Sequence, residues 1–185
     1  MKVFIFLLAL WPTTVWSADC RDFIFQEIPF TACTATLPED DLRLFLLDEN
    51  GKNFGQFQKL ESFLKVQDLN IIFATNGGMY HNDRTPVGLY VENFREVSSL
   101  IIRDGPGNFG LLPNGVFCFN KKEFVILETK EFAHQKLKCN YATQSGPLLV
   151  INGEIHPKFI KDGSSKFIRS GVGISNDGLK AIFLI

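Results

Sequence analysis

Outside its first dozen residues this sequence has no long apolar run, and nowhere does it carry the roughly 20 consecutive apolar residues that a membrane-spanning helix requires. It also has no stripe of basic residues. Lysines and arginines are interspersed with acids to a net charge of −1, which argues against nucleic acid as a partner, and Lys121-Lys122 reads as a solvated hairpin tip. Internal repeats, low-complexity tracts and interdomain linkers are missing, so the 185 residues read as one domain with room for a substantial core. There is no Cys-x-x-Cys pair, and the nearest histidines do not stand at zinc-ligand offsets, so no structural zinc site is expected. The G-x-S-x-G elbow of a serine hydrolase is absent as well. No metal and no cofactor is read from the sequence. Tryptophan and tyrosine are scarce, with two and three copies, whereas 19 phenylalanines and a 45% hydrophobic fraction exclude disorder and favour a β-rich or α/β globule.

Two features bear on the compartment. Met1-Lys2 is a short basic start, Val3 to Trp11 is unbroken and apolar, Pro12 follows, and Val15-Trp16-Ser17 suits a signal peptidase. Residues 1–18 therefore read as a secretory signal peptide, leaving 19–185 as the mature domain, secreted or periplasmic. The run is too short for a stable membrane span, and Asp19 before Cys20 argues against a lipoprotein signal. Cys20, Cys33, Cys118 and Cys139 would meet an oxidising compartment, where four cysteines allow three connectivities. Cys20–Cys33 would staple the mature N-terminus, and Cys118–Cys139 would link a strand to a loop. Because Cys118 lies within G-V-F-C-F and suits a buried apolar site, one disulfide is expected rather than two.

The hydrophobic pattern predicts strands at Leu42–Leu47, Asn70–Ala74, Val87–Val91, Val97–Ile102, Val116–Phe119, Phe124–Leu127, Leu148–Ile151, Val172–Ser175 and Leu179–Leu184. Helical spacing over Phe57–Val66 predicts one helix, and a second short helix is expected over Lys130–Lys136. Turn signals fall at Asp48–Gly51, Asn120, Asn152-Gly153 and Asn176–Gly178. The expected class is α+β, a mixed and mostly antiparallel sheet with one or two packed helices. The sequence stops at A-I-F-L-I, within an apolar strand, from which further elements beyond Ile185 are expected.

Polar chemistry concentrates in four turn-rich segments that adjoin strands: Asn76-Gly77-Gly78; Asp104 to Gly110, leading to Asn114-Gly115; Ala142 to Pro147, with Gln144 and Ser145; and Ile168 to Gly173, with Arg169. Small residues there let backbone N–H groups approach an anion, and the side chains add direction. Blander readings exist for each. Asn114-Gly115 and Asn152-Gly153 suit hairpin turns. Arg169 suits a surface ion pair, and Asp83 and Arg84 a solvated loop. His81 and His156 suit surface or structural positions. Gln144-Ser145 is hardest to dismiss, since polar groups at the mouth of an apolar strand are costly unless used.

Taken in order, A-T-N-G-G-M-Y-H-N-D-R-T-P-V-G-L-Y-V-E-N, G-N-F-G-L-L-P-N-G-V-F, A-T-Q-S-G-P-L-L-V-I-N-G-E-I-H-P-K-F and I-R-S-G-V-G-I-S resemble the phosphodiester glycosidase family, in its bacterial secreted branch. That family includes the uncovering enzyme, which removes N-acetylglucosamine from a phosphodiester on mannose 6-phosphate. The resemblance runs from about Leu42 to the end. The bacterial branch tends to have Asn-Ala-Gly where this chain has Asn76-Gly77-Gly78, and Asn where it has Ser170. Family members continue past this end with a segment bearing an Asp-Gly pair, so the resemblance implies a C-terminus that is incomplete.

The implied reaction is hydrolysis of a sugar-1-phosphodiester or related glycan linkage, with a carbohydrate or sugar-phosphate as substrate. Such a reaction needs cationic and N–H groups on the phosphate and a carboxylate at the anomeric centre. By that resemblance Arg169 would hold phosphate, assisted by Arg84. Asn76, Gly77, Gly78, Asn108, Asn114, Gln144 and Ser145 would line the site, and Glu92, Asp83 or Glu154 would supply the carboxylate. Gln144→Ala is expected to lower activity with little change in melting temperature. A non-catalytic glycan-binding module and an inactive, truncated family member remain open. All rest on the loops at Asn76, Asn108, Gln144 and Arg169 converging on one anion-friendly hollow.

Overall fold

A computed structural model of the chain describes residues 18–105, 107–160, 162–163 and 167–185. Residues 1–17, which hold nearly all of the expected signal peptide, lie outside the described residues. The class is α+β, with two short helices against antiparallel sheets. Among the described residues every strand pairing is antiparallel, and the strands divide between two main sheets and a small ribbon rather than forming one mixed sheet.

The first sheet opens with a hairpin, β1 (Asp19–Phe25) and β2 (Ile28–Thr36). Its two-residue turn is Gln26-Glu27, both at positive φ (48° and 65°), the conformation of a type I′ turn without the Asn-Gly that usually announces one. That is why neither strand was expected from the pattern. Cys20 and Cys33 face each other across the pair and are disulfide-bonded. The C-terminal hairpin joins this sheet: β10 (Gly171–Ile174) pairs with β11 (Lys180–Leu184), which pairs with β2.

The second sheet has β3 (Tyr90–Glu92), β4 (Arg95–Ser98), β5 (Gly115–Phe119), β6 (Phe124–Glu128) and β7 (Tyr141–Ser145), in the order β4-β3-β7-β5-β6. One face carries Phe117, Phe119 and Phe124, which meet Ala35, Ala181 and Phe183 of the first sheet in a single core. The Phe117 and Phe183 rings cross edge to face at 6.0 Å. The opposite face buries Val116, Cys118 and Ala142 beneath Leu100, Phe132 and Leu137. Phe132 belongs to α2 (Thr129–Gln135), whose first N–H groups, those of Lys130 and Glu131, are accepted by the Glu128 carboxylate at 2.8 and 3.2 Å. Cys118 is bonded to Cys139 on this face, so both disulfides form and the expectation of one is corrected. Burial and pairing coexist at Cys118 because its partner is buried beside it.

Helix α1 (Phe57–Lys65) forms as its spacing predicts, with Phe63 packed on Phe54 at 5.2 Å. Two expected strands do not form. Leu42 and Leu44 reach the core, but residues 42–47 find no ladder: Leu46 gives its N–H to the Glu92 carboxylate and its carbonyl to Phe54, and only Leu47 bridges Asn53. Phe73 likewise packs on Phe183 from an irregular 70–74 segment. Conversely, 141–145, read as a polar loop, is the central strand β7. Asn152-Gly153 is the expected turn (φ 52° and 83°) between β8 (Val150–Ile151) and β9 (Glu154–Ile155). Asn114-Gly115 is not a turn, since both residues are buried where β5 begins.

Candidate functional site

Strand β7 organises the site, because its alternation sends neighbouring polar residues to opposite faces. Thr143 pairs in register with Phe117 and Tyr90, and points into the space between the sheets. There its hydroxyl donates to the Gly77 carbonyl at 2.7 Å. Gly78 lies so close that a Cβ would sit 2.2 Å from that hydroxyl, and its φ of +97° is itself a glycine conformation. The Asn76 side chain turns back to the Gly78 carbonyl (3.0 Å) and accepts from the Ser170 hydroxyl at 2.6 Å, across 94 positions of sequence. Thus the segments at 76–78, 143–145 and 169–170 meet. Ser170 supplies the bridging hydroxyl. Next to it, Arg169 is exposed, with its guanidinium over the Phe167 ring at 5.2 Å and donating to the Phe167 carbonyl at 3.2 Å. Ser145 shares Thr143's face, is half-buried, and its hydroxyl makes no hydrogen bond among the described residues.

Gln144 points the other way. Read from sequence it turns toward substrate, yet it is buried on the α2 side with every amide valence satisfied. Its Oε1 accepts from the Leu89 and Ile101 N–H groups, each at 3.1 Å, while Nε2 donates to the Ile101 carbonyl (2.7 Å) and Thr129 hydroxyl (3.1 Å). Gly88 makes room for it, since a Cβ there would lie 2.5 Å from Oε1. Its position ties β7 to the 99–102 segment, and Phe109 crowds the same place at Gly88, at 2.7 Å from that imagined Cβ. Phe109 anchors the 107–110 turn, leaving neighbouring Asn108 exposed. Asn114 is completely buried against Gly146, and neither end of its amide has a hydrogen-bond partner among the described residues. A buried amide left in that condition is uncommon and costs stability.

The expected carboxylates separate. Glu92 shares the face of Thr143 and accepts from the Tyr90 hydroxyl and the Leu46 N–H, both at 3.1 Å. Burial pushes its carboxyl above the ordinary glutamate range, and those two hydrogen bonds pull back only in part. Tyr90, buried next to that charge, is raised too. Asp83 is exposed, held below its ordinary value by hydrogen bonds from the Thr85 hydroxyl and N–H. It shares a hairpin tip with Arg84, which lies over the Tyr80 ring at 4.7 Å and against Gly55. Glu154 is exposed on β9. His81 is exposed, whereas His156 is buried, its Nδ1 accepting from the Lys158 N–H at 3.2 Å and its Nε2 lying 3.2 Å from the Leu112 carbonyl. Accepting at Nδ1 assigns the proton to Nε2. No group of three or more His, Cys, Asp or Glu side chains gathers as a metal set among the described residues, and no described helix is long and apolar enough to cross a membrane.

The sequence had singled out Gln144 and Ser145 together and passed over Thr143 and Tyr90. The signal for both lay in the period of two: Thr143 stands at i−2 from Ser145, and Tyr90 at i−2 from Glu92. Glu92 yields a pH prediction. A carboxyl whose folded pKa is raised holds its proton more tightly folded than unfolded, so stability falls as pH rises from the ordinary glutamate value through the raised one. Glu92→Gln keeps an acceptor for Tyr90 and Leu46 but cannot ionise. Its melting temperature relative to wild type is expected to rise between pH 4 and pH 7; a relative fall over that range in calorimetry would contradict the assignment.

Similarity to other proteins agrees with this geometry. A profile of the phosphodiester glycosidase family matches residues 69–185, the stretch that holds all four polar segments. The uncharacterised protein YigE of Escherichia coli (strain K12) is 31% identical over 185 residues, an alignment that covers 100% of this chain and 72% of that protein. No solved structure is significantly similar.

Proposed function

This chain belongs to the phosphodiester glycosidase family, and on that premise we propose that it is a hydrolase that cleaves a sugar-1-phosphodiester or a closely related glycan linkage. The observation that carries the reading is the meeting of segments remote in sequence: Ser170 bonded to Asn76, and Thr143 to Gly77, with Arg169 alongside. Phosphate is a good leaving group, so the reaction needs charge stabilisation on its oxygens more than a strong general acid. Arg169 would supply the cationic donors and the glycine-rich 76–78 turn would supply close backbone approach. Asn76, Asn108 and Ser145 would orient sugar hydroxyls and phosphate oxygens. Of the three carboxylates, Glu92 is the half-buried one with a raised carboxyl, whereas Asp83 and Glu154 are exposed; because Glu92 stands toward the Tyr141 end of β7, no carboxylate is assigned to the anomeric centre. Gln144 would act through the Leu89 and 99–102 backbone that it holds.

Export to an oxidising compartment is part of the proposal. The basic and apolar start of the sequence and the two disulfides support it. The test is turnover of a chromogenic sugar-1-phosphodiester by the mature chain. Arg169→Ala is expected to lower kcat/KM by about 10²-fold or more while circular dichroism stays unchanged. Sugar binding without turnover in wild type would convert the reading to a glycan-binding module.

A further inference from the structure

The other end of β7 borders a hollow of about 520 Å³, within the range of roughly 300–1,000 Å³ usual for small-molecule sites. One wall is the 37–45 segment, which lies before the stretch matched by the family profile; the other comes from the turns at residues 93, 120 and 140. Tyr141 forms part of the lining. Its ring stacks on Phe119 at 5.1 Å, and its hydroxyl donates to Asn93 Oδ1 at 2.7 Å, which fixes the ring and leaves the Asn93 amide N–H groups to donate. Asn140 has both backbone groups in use, N–H to Phe119 and carbonyl to Phe94, while its side-chain amide makes no hydrogen bond among the described residues. Across from them Arg43 is held by the Asp41 carboxylate, Nε to Oδ1 at 3.0 Å, so its charge is already balanced.

This chemistry selects a ligand. The lining has three acids, Glu39, Asp40 and Asp41, against Arg43 and Lys121, so it does not favour an anion. It offers carboxylates to accept and amides and a guanidinium to donate, around an aromatic ring. Vicinal hydroxyls on an apolar ring face complement that set. We propose that the hollow is a subsite for an uncharged pyranose unit. Resting on the glycosidase reading, it would hold a distal sugar of the same glycan. Tyr141 and Ser145 stand on one face of β7, four residues or about 13 Å apart, and register continued one step past Val91–Ala142 sets Glu92 beside Tyr141.

The experiment is saturation-transfer NMR on the mature chain with glucose, mannose, N-acetylglucosamine and cellobiose as probes. Transfer to at least one is expected, retained in Arg169→Ala and reduced at least fivefold in Arg43→Ala/Asn140→Ala, with Asn140→Ala alone as the milder variant should the double one not fold. No transfer to any probe, or equal transfer in the folded variants, overturns the subsite. Turnover of a minimal sugar-1-phosphodiester is read separately. Its absence alongside variant-sensitive sugar binding removes the catalytic reading and leaves the subsite standing; turnover without sugar binding does the reverse.

Discussion

Replacing Gln144 with leucine is expected to destabilise the protein by about 4 kcal/mol, close to the largest cost a single substitution commonly shows. The side chain is buried and makes four hydrogen bonds. Leucine fills much of the same volume but leaves the Leu89 and Ile101 N–H groups, the Ile101 carbonyl and the Thr129 hydroxyl without that partner. Each such group left unpaired costs about 1–3 kcal/mol, and the sum is smaller than the parts because the 99–102 segment can reach water. Urea unfolding should show a lower midpoint with an unchanged slope. Thr129→Val, which removes only the 3.1 Å bond to Nε2, is expected to cost about 1 kcal/mol. A Gln144→Leu protein as stable as wild type, yet inactive, would instead place the amide at the substrate, as the sequence had suggested.

The second large effect is expected at Asn114, where two substitutions of similar shape should diverge. Asn114→Asp sets a carboxylate in a fully buried position without a hydrogen-bond partner among the described residues. A folded pKa raised by about three units there corresponds to about 4 kcal/mol lost at neutral pH. The sign follows from linkage. The folded state binds the proton more tightly, so stability is retained below the ordinary aspartate value and lost as pH rises through the elevated one. Asn114→Leu removes two orphaned polar atoms at the expense of some overpacking, and should fall within about 1 kcal/mol of wild type. Thermal melts at pH 4 and pH 7 distinguish the cases. A leucine variant destabilised as much as the aspartate one would mean that the amide is satisfied after all. A leucine variant of normal stability and lost turnover would mark Asn114 as kept for function at a cost in stability.

The sequence disclosed those parts of the fold in which side-chain period and burial coincide. β5, β6, β11 and α1 appear where their apolar spacing puts them, and α2 forms one residue ahead of its expected bounds. β1 and β2 were hidden because Gln26-Glu27 adopts a tight turn with no Asn or Gly, and because every β1 residue is exposed. Leu42–Leu47 and Asn70–Ala74 misled for the opposite reason: their apolar side chains do reach the core, but their backbones satisfy themselves outside any ladder. At the site, the four segments and their order were legible, and the Asn76–Ser170 contact joins the first to the last. The direction of each side chain was not. Gln144 and Asn114 looked like polar residues awaiting a ligand, and only the fold shows that one is fully partnered and the other buried without a partner among the described residues.

Strand β7 carries one further consequence. Thr143 and Ser145 face the space between the sheets, and Gln144 faces the helix side. Inserting or deleting a single residue just ahead of Tyr141 would rotate this strand half a turn about its axis and swap the two sets. The inter-sheet hydroxyls would then be thrust into the helix-side packing, and the structural amide would be set among the glycines of the 76–78 turn. Architecture and chemistry are interleaved here one residue at a time, so length changes between Cys139 and Ser145 should be far less tolerated than exchanges of side chain at any one of those positions.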